Sequence, residues 1–138
     1  MTTYLLDTNH LSAALESGSP LVGRIASARR AGHRFGTCAP VLCELAAGIA
    51  QTVRRERNWQ ALQLLLRQVS VWPIDLEAVR AYGELYVELK RKGRVLSQVD
   101  IMVGAIARTG GFTLLTSDRD FEAVERLDRE DWTPGLRP

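Results

Sequence analysis

An α/β layer fold with a mainly parallel sheet is what the sequence predicts, on three observations. Short apolar, β-compatible runs alternate with longer segments of helical periodicity, and helix-capping residues follow the strand-like runs at once. No linker, low-complexity stretch or repeat interrupts the alternation. A chain of 138 residues that is 46% hydrophobic can build one ordinary core, so residues 1–138 read as a single domain.

The elements follow in order. Thr3, Tyr4, Leu5 and Leu6 form a first strand, and Asp7-Thr8-Asn9 hands it over to a helix over residues 9–16. Gly18 and Pro20 break the chain before a helix over residues 21–30. Residues 33–38 read as a second strand that Gly36 weakens, and Pro40 suits the first turn of the next helix, where its missing N–H has no partner to lose. Val41, Leu42, Leu45, Ala46 and Ile49 recur at helical spacing and carry Glu44 with them. After a basic cluster at Arg54, Arg55 and Arg57, a bend near Asn58 precedes a stripe of Trp59, Leu62, Leu65 and Leu66.

Residues 69–72 are strand-like and stopped by Pro73; Asp75 caps a helix over residues 76–92 with Ala78, Val79, Tyr82, Leu85, Tyr86 and Leu89 inward. A helix from Ser97 to Gly110-Gly111 is apolar nearly all round, which makes the charge of Asp100 conspicuous. Phe112-Thr113-Leu114-Leu115-Thr116 is the clearest strand, ended by Ser117-Asp118. A short helix over residues 120–127 and an edge strand containing Trp132 close the fold before a Pro134-Gly135 tail.

The formal charge of +2 is too small to mark a nucleic-acid binder. Nearly all 18 basic residues are arginine, whose planar fork suits phosphate and which genomic base composition explains equally well. Cys38 and Cys43 lack a CxxC or Cys/His pattern, so neither a zinc knuckle nor a disulfide framework is indicated and both are expected in the core. No run approaches the length of a membrane span and no leader pattern opens the chain, which leaves the cytoplasm as the expected location.

Four acids stand out. Asp7 and Asp118 each follow a strand directly, Asp100 sits at the start of an apolar helix, and Glu44 lies on the helix after the second strand. Capping explains any one of them, but not four at the same kind of junction, and such junctions share one edge of a parallel sheet. Like charges brought within a few ångströms resist joint ionisation, and a divalent cation reverses that balance. Without a convergent histidine set the donors are hard oxygens, which suits Mg2+ or Mn2+ rather than zinc. Such ions promote attack of water on a phosphodiester. Thr8, Asn9, Thr116 and Ser117 are candidates to support the acids, and Arg94 and Arg119 to contact phosphate. Asp120 is a supporting acid, a fifth ligand or a plain first-turn residue, the last being favoured.

The pieces that carry these acids resemble the PIN-domain family, and within it the VapC-type toxins of toxin–antitoxin pairs. YLLDTNHL is similar to the family's first strand and catalytic aspartate, at Asp7; APVLCELAAGI to the segment of its glutamate, at Glu44. SQVDIMVGAIARTGG is similar to the helix of the third acid, at Asp100, and FTLLTSDRDFEAV to the last catalytic strand, at Asp118 with Thr116. Ser97 and Gly104 depart from the pattern, standing where proline and alanine are frequent. The resemblance implies a five-stranded sheet in the order 3-2-1-4-5 and a Mg2+- or Mn2+-dependent endoribonuclease acting on RNA. It also implies a homodimer, and inhibition by a cognate antitoxin whose tail occupies a groove. Arg54, Arg55 and Arg57 are expected to flank an RNA- or antitoxin-binding surface. The alternatives are a DNA or structure-specific nuclease and a non-catalytic RNA-binding protein of the same fold; loss of acids would have favoured the last.

Overall fold

The computed structural model describes residues 1–134, so the expected tail at Gly135 lies outside them. Strands β1 (Thr3–Leu6), β2 (Arg34–Cys38), β3 (Ser70–Trp72), β4 (Thr113–Leu115) and β5 (Arg129–Glu130) form one sheet in the order 3-2-1-4-5. Every neighbouring pair is parallel. The order is the one the resemblance implied. Six helices flank the sheet: α1 (Thr8–Leu15), α2 (Pro20–Arg30), α3 (Ala39–Ala50), α4 (Arg55–Leu65), α5 (Leu76–Arg91) and α6 (Gln98–Gly110). Parallel strands need such crossovers, and the helices bury both the sheet and their own apolar stripes.

Central strand β1 is flanked by β2 on one side and β4 on the other. The chain leaves β1 towards β2 and returns late to β4, so the connections after these two strands diverge and leave a crevice at their carboxyl ends. Leu5, Leu6, Leu114 and Leu115 are fully buried beneath it.

Gly36 lies within β2 despite the doubt it cast on the strand, and its missing side chain leaves room for a neighbour. The indole of Trp72 lies across it, and a Cβ there would stand 2.3 Å from the ring. The same indole stacks on Phe112 with ring centroids 4.3 Å apart. Gly104 serves a related purpose on α6, where a Cβ would press to 3.1 Å from Leu85 of α5. The departure from the family's frequent alanine thus matches a close approach of the two helices, which pack extensively on each other.

Several sequence expectations are corrected. The break between α3 and α4 falls at residues 51–54 rather than at Asn58, which sits inside α4. On α5 the buried face is Ala78, Ala81, Leu85 and Leu89, while Val79 and Tyr86 are about half exposed. These outward apolar residues share their stripe with Leu76 and Val87, a pattern that periodicity cannot distinguish from a core face. On α4, Leu62 and Leu65 are buried but Trp59 is exposed.

Cys43 is exposed and only Cys38 is buried. The helix expected over residues 120–127 is a single 3-10 turn, Arg119–Ala123. It stops because Val124 turns extended to stay in the core and Arg126 adopts a φ of 55°. Trp132 lies beyond β5 and is buried against Tyr4 and Phe35 instead of forming part of an edge strand.

Candidate active site

Asp7 is the buried member of the acid set and the N-cap of α1, its Oδ1 accepting from the Thr8 backbone N–H at 2.8 Å. Its own backbone N–H extends the parallel ladder by donating to Leu115 O, which ties the end of β1 to the end of β4. Oδ2 accepts from the Thr116 hydroxyl at 2.8 Å. That hydroxyl also accepts from the Asp118 N–H at 3.0 Å and from Asn9 Nδ2 at 3.5 Å, so its one donor and both lone pairs are used.

Asn9 Oδ1 in turn accepts from the Ser117 N–H at 3.2 Å. The connections after β1 and β4 are therefore laced together by side chains of Asp7, Asn9 and Thr116. Thr8, the fourth residue in this region, points its hydroxyl to Glu44 Oε1 at 2.8 Å, across to α3.

Asp100 enters from the first turn of α6, where the Ser97 hydroxyl accepts from the Asp100 N–H at 3.1 Å. Asp118 caps the 3-10 turn through the Asp120 N–H at 2.8 Å. That tight turn swings Asp120 to the same side, and Asp100, Asp118 and Asp120 can each present an oxygen within 4.8 Å of the others. The sequence reading favoured a plain helical role for Asp120. The Asp-x-Asp spacing was the available signal, but only a 3-10 turn brings its two side chains together.

Asp7 and Glu44 lie outside that closest triad, yet their charges are felt within it. Burial pushes Asp7 above the ordinary aspartate range; its hydrogen bonds from Thr116 and Thr8 pull it back, and Glu44 and Asp118 add repulsion. Asp100 is pushed up to about 6, by burial first and then by the charges of Asp7 and Asp118, with Glu44 also contributing. Among the described residues the ion pairs engage Glu84, Glu125 and Glu88, and none of these five clustered acids has a basic partner. Crowded oxygen donors without a basic partner form a set that a hard divalent cation fits.

A cleft of about 620 Å³ opens on the α1, α3 and α4 side of the molecule. Leu15, Leu45, Ile49 and Ala61 supply its apolar lining, with Arg54 and Arg57 contributing charge. Arg55, Arg94 and Arg119 are exposed.

With this geometry in place, residues 4–127 match the family model of the PIN domain. The chain is 25% identical over 130 residues to "Ribonuclease VapC2" of Rickettsia felis, covering 94% of this chain and 97% of that one. It is 32% identical over 93 residues to "tRNA(fMet)-specific endonuclease VapC" of Shigella flexneri, covering 67% and 70% of the two. Among solved structures, VapBC2 of Rickettsia felis bound to a promoter DNA fragment superposes with a TM-score of 0.87 at 23% identity. The match covers 95% of this chain and 99% of that one. This last likeness concerns the fold.

Proposed function

The chain belongs to the PIN-domain family, and we propose that it is a metal-dependent endoribonuclease, the toxin of a toxin–antitoxin pair, with residues 1–138 acting as one domain. The observation that carries the reading is the cluster of carboxylates without a basic partner at the carboxyl ends of β1 and β4. The ribonuclease names of the VapC relatives support it from the side of descent.

Asp7, Asp100, Asp118 and Asp120 would hold the cation, Mg2+ or Mn2+, with Glu44 beside them. When bound, such an ion eases the loss of a proton from water and offsets negative charge that builds at phosphorus. The chain's own part is positioning. Thr116 and the Thr8 N–H aim Asp7 and oppose the upward push of burial on its carboxyl. Thr8 holds Glu44 by Oε1, leaving Oε2 free to accept a proton from the attacking water or to face the cation. Arg94 and Arg119 are the proposed phosphate contacts, and Ser117 a further hydrogen-bonding group for substrate or water.

The cognate antitoxin is proposed to seat a tail in the cleft beside α1, α3 and α4, with apolar anchors on Leu45 and Ile49 and charge contacts on Arg54 and Arg57. A homodimer is proposed through α5, supported by the outward stripe of Leu76, Val79, Tyr86 and Val87. No helix among the described residues is long and apolar enough to cross a membrane, and we place the protein in the cytoplasm with its RNA.

The test is to free the purified chain of antitoxin and incubate it with total cellular RNA in Mg2+, Mn2+ or EDTA, beside Asp7→Asn and Asp100→Asn. Discrete fragments are expected from the unsubstituted protein with metal alone. Equal cutting of single-stranded DNA would shift the reading to a DNA nuclease, and RNA retention without cleavage to a binding protein.

A further inference from the structure

His10 is fully buried, three residues after Asp7, and the reaction as described gives it no task. Its two ring nitrogens are nonetheless both engaged. Nε2 lies 2.9 Å from the backbone N of Trp132, and Nδ1 lies 2.8 Å from Asn9 Oδ1. A backbone amide can only donate, so Nε2 must offer its lone pair and the single ring proton must sit on Nδ1. Nδ1–H then donates to Asn9 Oδ1. This orients the Asn9 amide with Nδ2 towards Thr116 Oγ1, and the Thr116 hydrogen is left for Asp7 Oδ2. Each link fixes the polarity of the next.

The outer end of this chain is well anchored. Trp132 packs on Tyr4 and Phe35 and carries the Arg24 guanidinium 3.9 Å above its ring. Its indole N–H donates to Glu130 Oε1 at 3.0 Å. Asp131 Oδ1 stands 3.6 Å from Nε2 and would favour a charged ring, but it already accepts from the Thr133 backbone N–H and hydroxyl. Burial outweighs it, holding His10 well below the ordinary histidine range at about 4, with Arg24 acting in the same direction.

We propose that His10, held by the Trp132 amide as the neutral Nδ1–H tautomer, is a positioning residue that sets the orientation of Asn9 and, through Thr116, the hydrogen bond received by the Asp7 carboxylate. In the opposite tautomer Nδ1 would accept. Asn9 would turn over and present oxygen to Thr116, and the Thr116 hydrogen would leave Asp7 for Asn9. The Ser117 N–H would then face an amide NH2 in place of its acceptor. The segment after β5 thus governs the carboxylate at the end of β1. The tautomer and the relay stand on geometry alone; their effect on a cation rests on the function proposed above.

The test uses two partial replacements of the imidazole in the full-length chain. His10→Asn keeps a donor at the place of Nδ1 and loses the acceptor for Trp132; His10→Gln keeps the acceptor at the place of Nε2 and loses the donor to Asn9. In the metal-free protein, nitrogen NMR is expected to show His10 protonated on Nδ1. The Asn9 side-chain amide signals are expected to move in His10→Gln and to stay near their positions in His10→Asn. Mn2+ affinity is expected to fall about tenfold or more in His10→Gln and to stay within about threefold in His10→Asn. A ring protonated on Nε2 overturns the proposal, and that measurement needs no variant to fold. So does a loss of Mn2+ affinity that merely tracks the melting temperature in both variants. If the unsubstituted protein binds no Mn2+, the metal-dependent function fails, and the NMR readouts still decide the relay.

Discussion

Thr8 and Glu44 are joined by a 2.8 Å hydrogen bond from hydroxyl to carboxylate although 36 residues separate them. The contact couples the first residue of α1 to the middle of α3 and leaves one carboxylate oxygen of Glu44 uncommitted. Thr8→Val keeps the shape and removes the donor. Since Glu44 is exposed, stability should change by less than about 1 kcal/mol, whereas RNA cleavage should fall by about tenfold or more. Thr8→Ser should restore it. Initial rates beside thermal melts check this, and a Thr8→Val enzyme with undiminished rate would refute the positioning role.

Thr116 is a more costly residue to change, because it is 5% exposed and serves Asp7, Asp118 and Asn9 together. Thr116→Val leaves a buried carboxylate without one of its two donors and two N–H groups without their acceptor. A loss of about 1 to 3 kcal/mol is expected in denaturant unfolding. Mn2+ titration should show affinity reduced by about 10 to 100-fold.

Asp100 gives a pH dependence with a definite sign. Its carboxyl is pushed from 3.8 to about 6 in the folded protein. In metal-free buffer the folded state therefore holds this proton longer than the unfolded chain, and stability from this group is lost as pH rises from about 4 through 6. His10, lowered from 6.5 to about 4, acts oppositely over its own window, and both the unsubstituted protein and Asp100→Asn contain it. The comparison of the two isolates Asp100. Asp100→Asn should gain relative stability between pH 5 and 7.5 in EDTA, and equal pH slopes in urea unfolding would contradict the crowding of acids. Adding Mn2+ at pH 7.5 should raise the melting temperature of the unsubstituted protein more than that of Asp100→Asn.

Gly36→Ala tests the core without touching the acids. The new methyl would meet the Trp72 ring at 2.3 Å, with Phe112 stacked on that same ring, so the indole cannot simply move aside. A cost of about 1 to 3 kcal/mol follows from such overpacking. Combining it with Trp72→Leu should cost less than the two single changes summed, because the clash disappears with the ring. Additive losses would show that the glycine is kept for another reason.

Strands β1 to β4, helices α1 to α6 and the positions of Asp7, Glu44, Asp100 and Asp118 after strands or early in helices were legible because each leaves a local mark. β1 and β4 are apolar runs followed at once by Asp7 and Ser117-Asp118, and α6 opens on a Ser97 cap with an acid at its third helical position. Asp120 does stand in a first turn, as favoured, and its approach to Asp100 and Asp118 was not legible because 3-10 and α-helical turns share the same capping residues. On α5, Ala78, Leu85 and Leu89 are inward as expected, but Val79 and Tyr86 are not, because apolar residues at helical spacing do not record whether core or solvent faces them. His10 carried no signal, since its partner Trp132 lies at the far end of the chain from it.

Alternation of apolar runs and capped helices depends on neighbours in the chain, so it was sufficient for the parallel α/β architecture and for an edge rich in carboxylates. What surrounds Asp7 depends on residues more than a hundred positions away: Thr116 touches it directly, and Trp132 holds His10 in the same network. Those partners meet only once β4 lies beside β1 and the segment after β5 folds back. Hydrogen bonds act over about 3 Å, and no local pattern of residues reveals which distant groups will come that close.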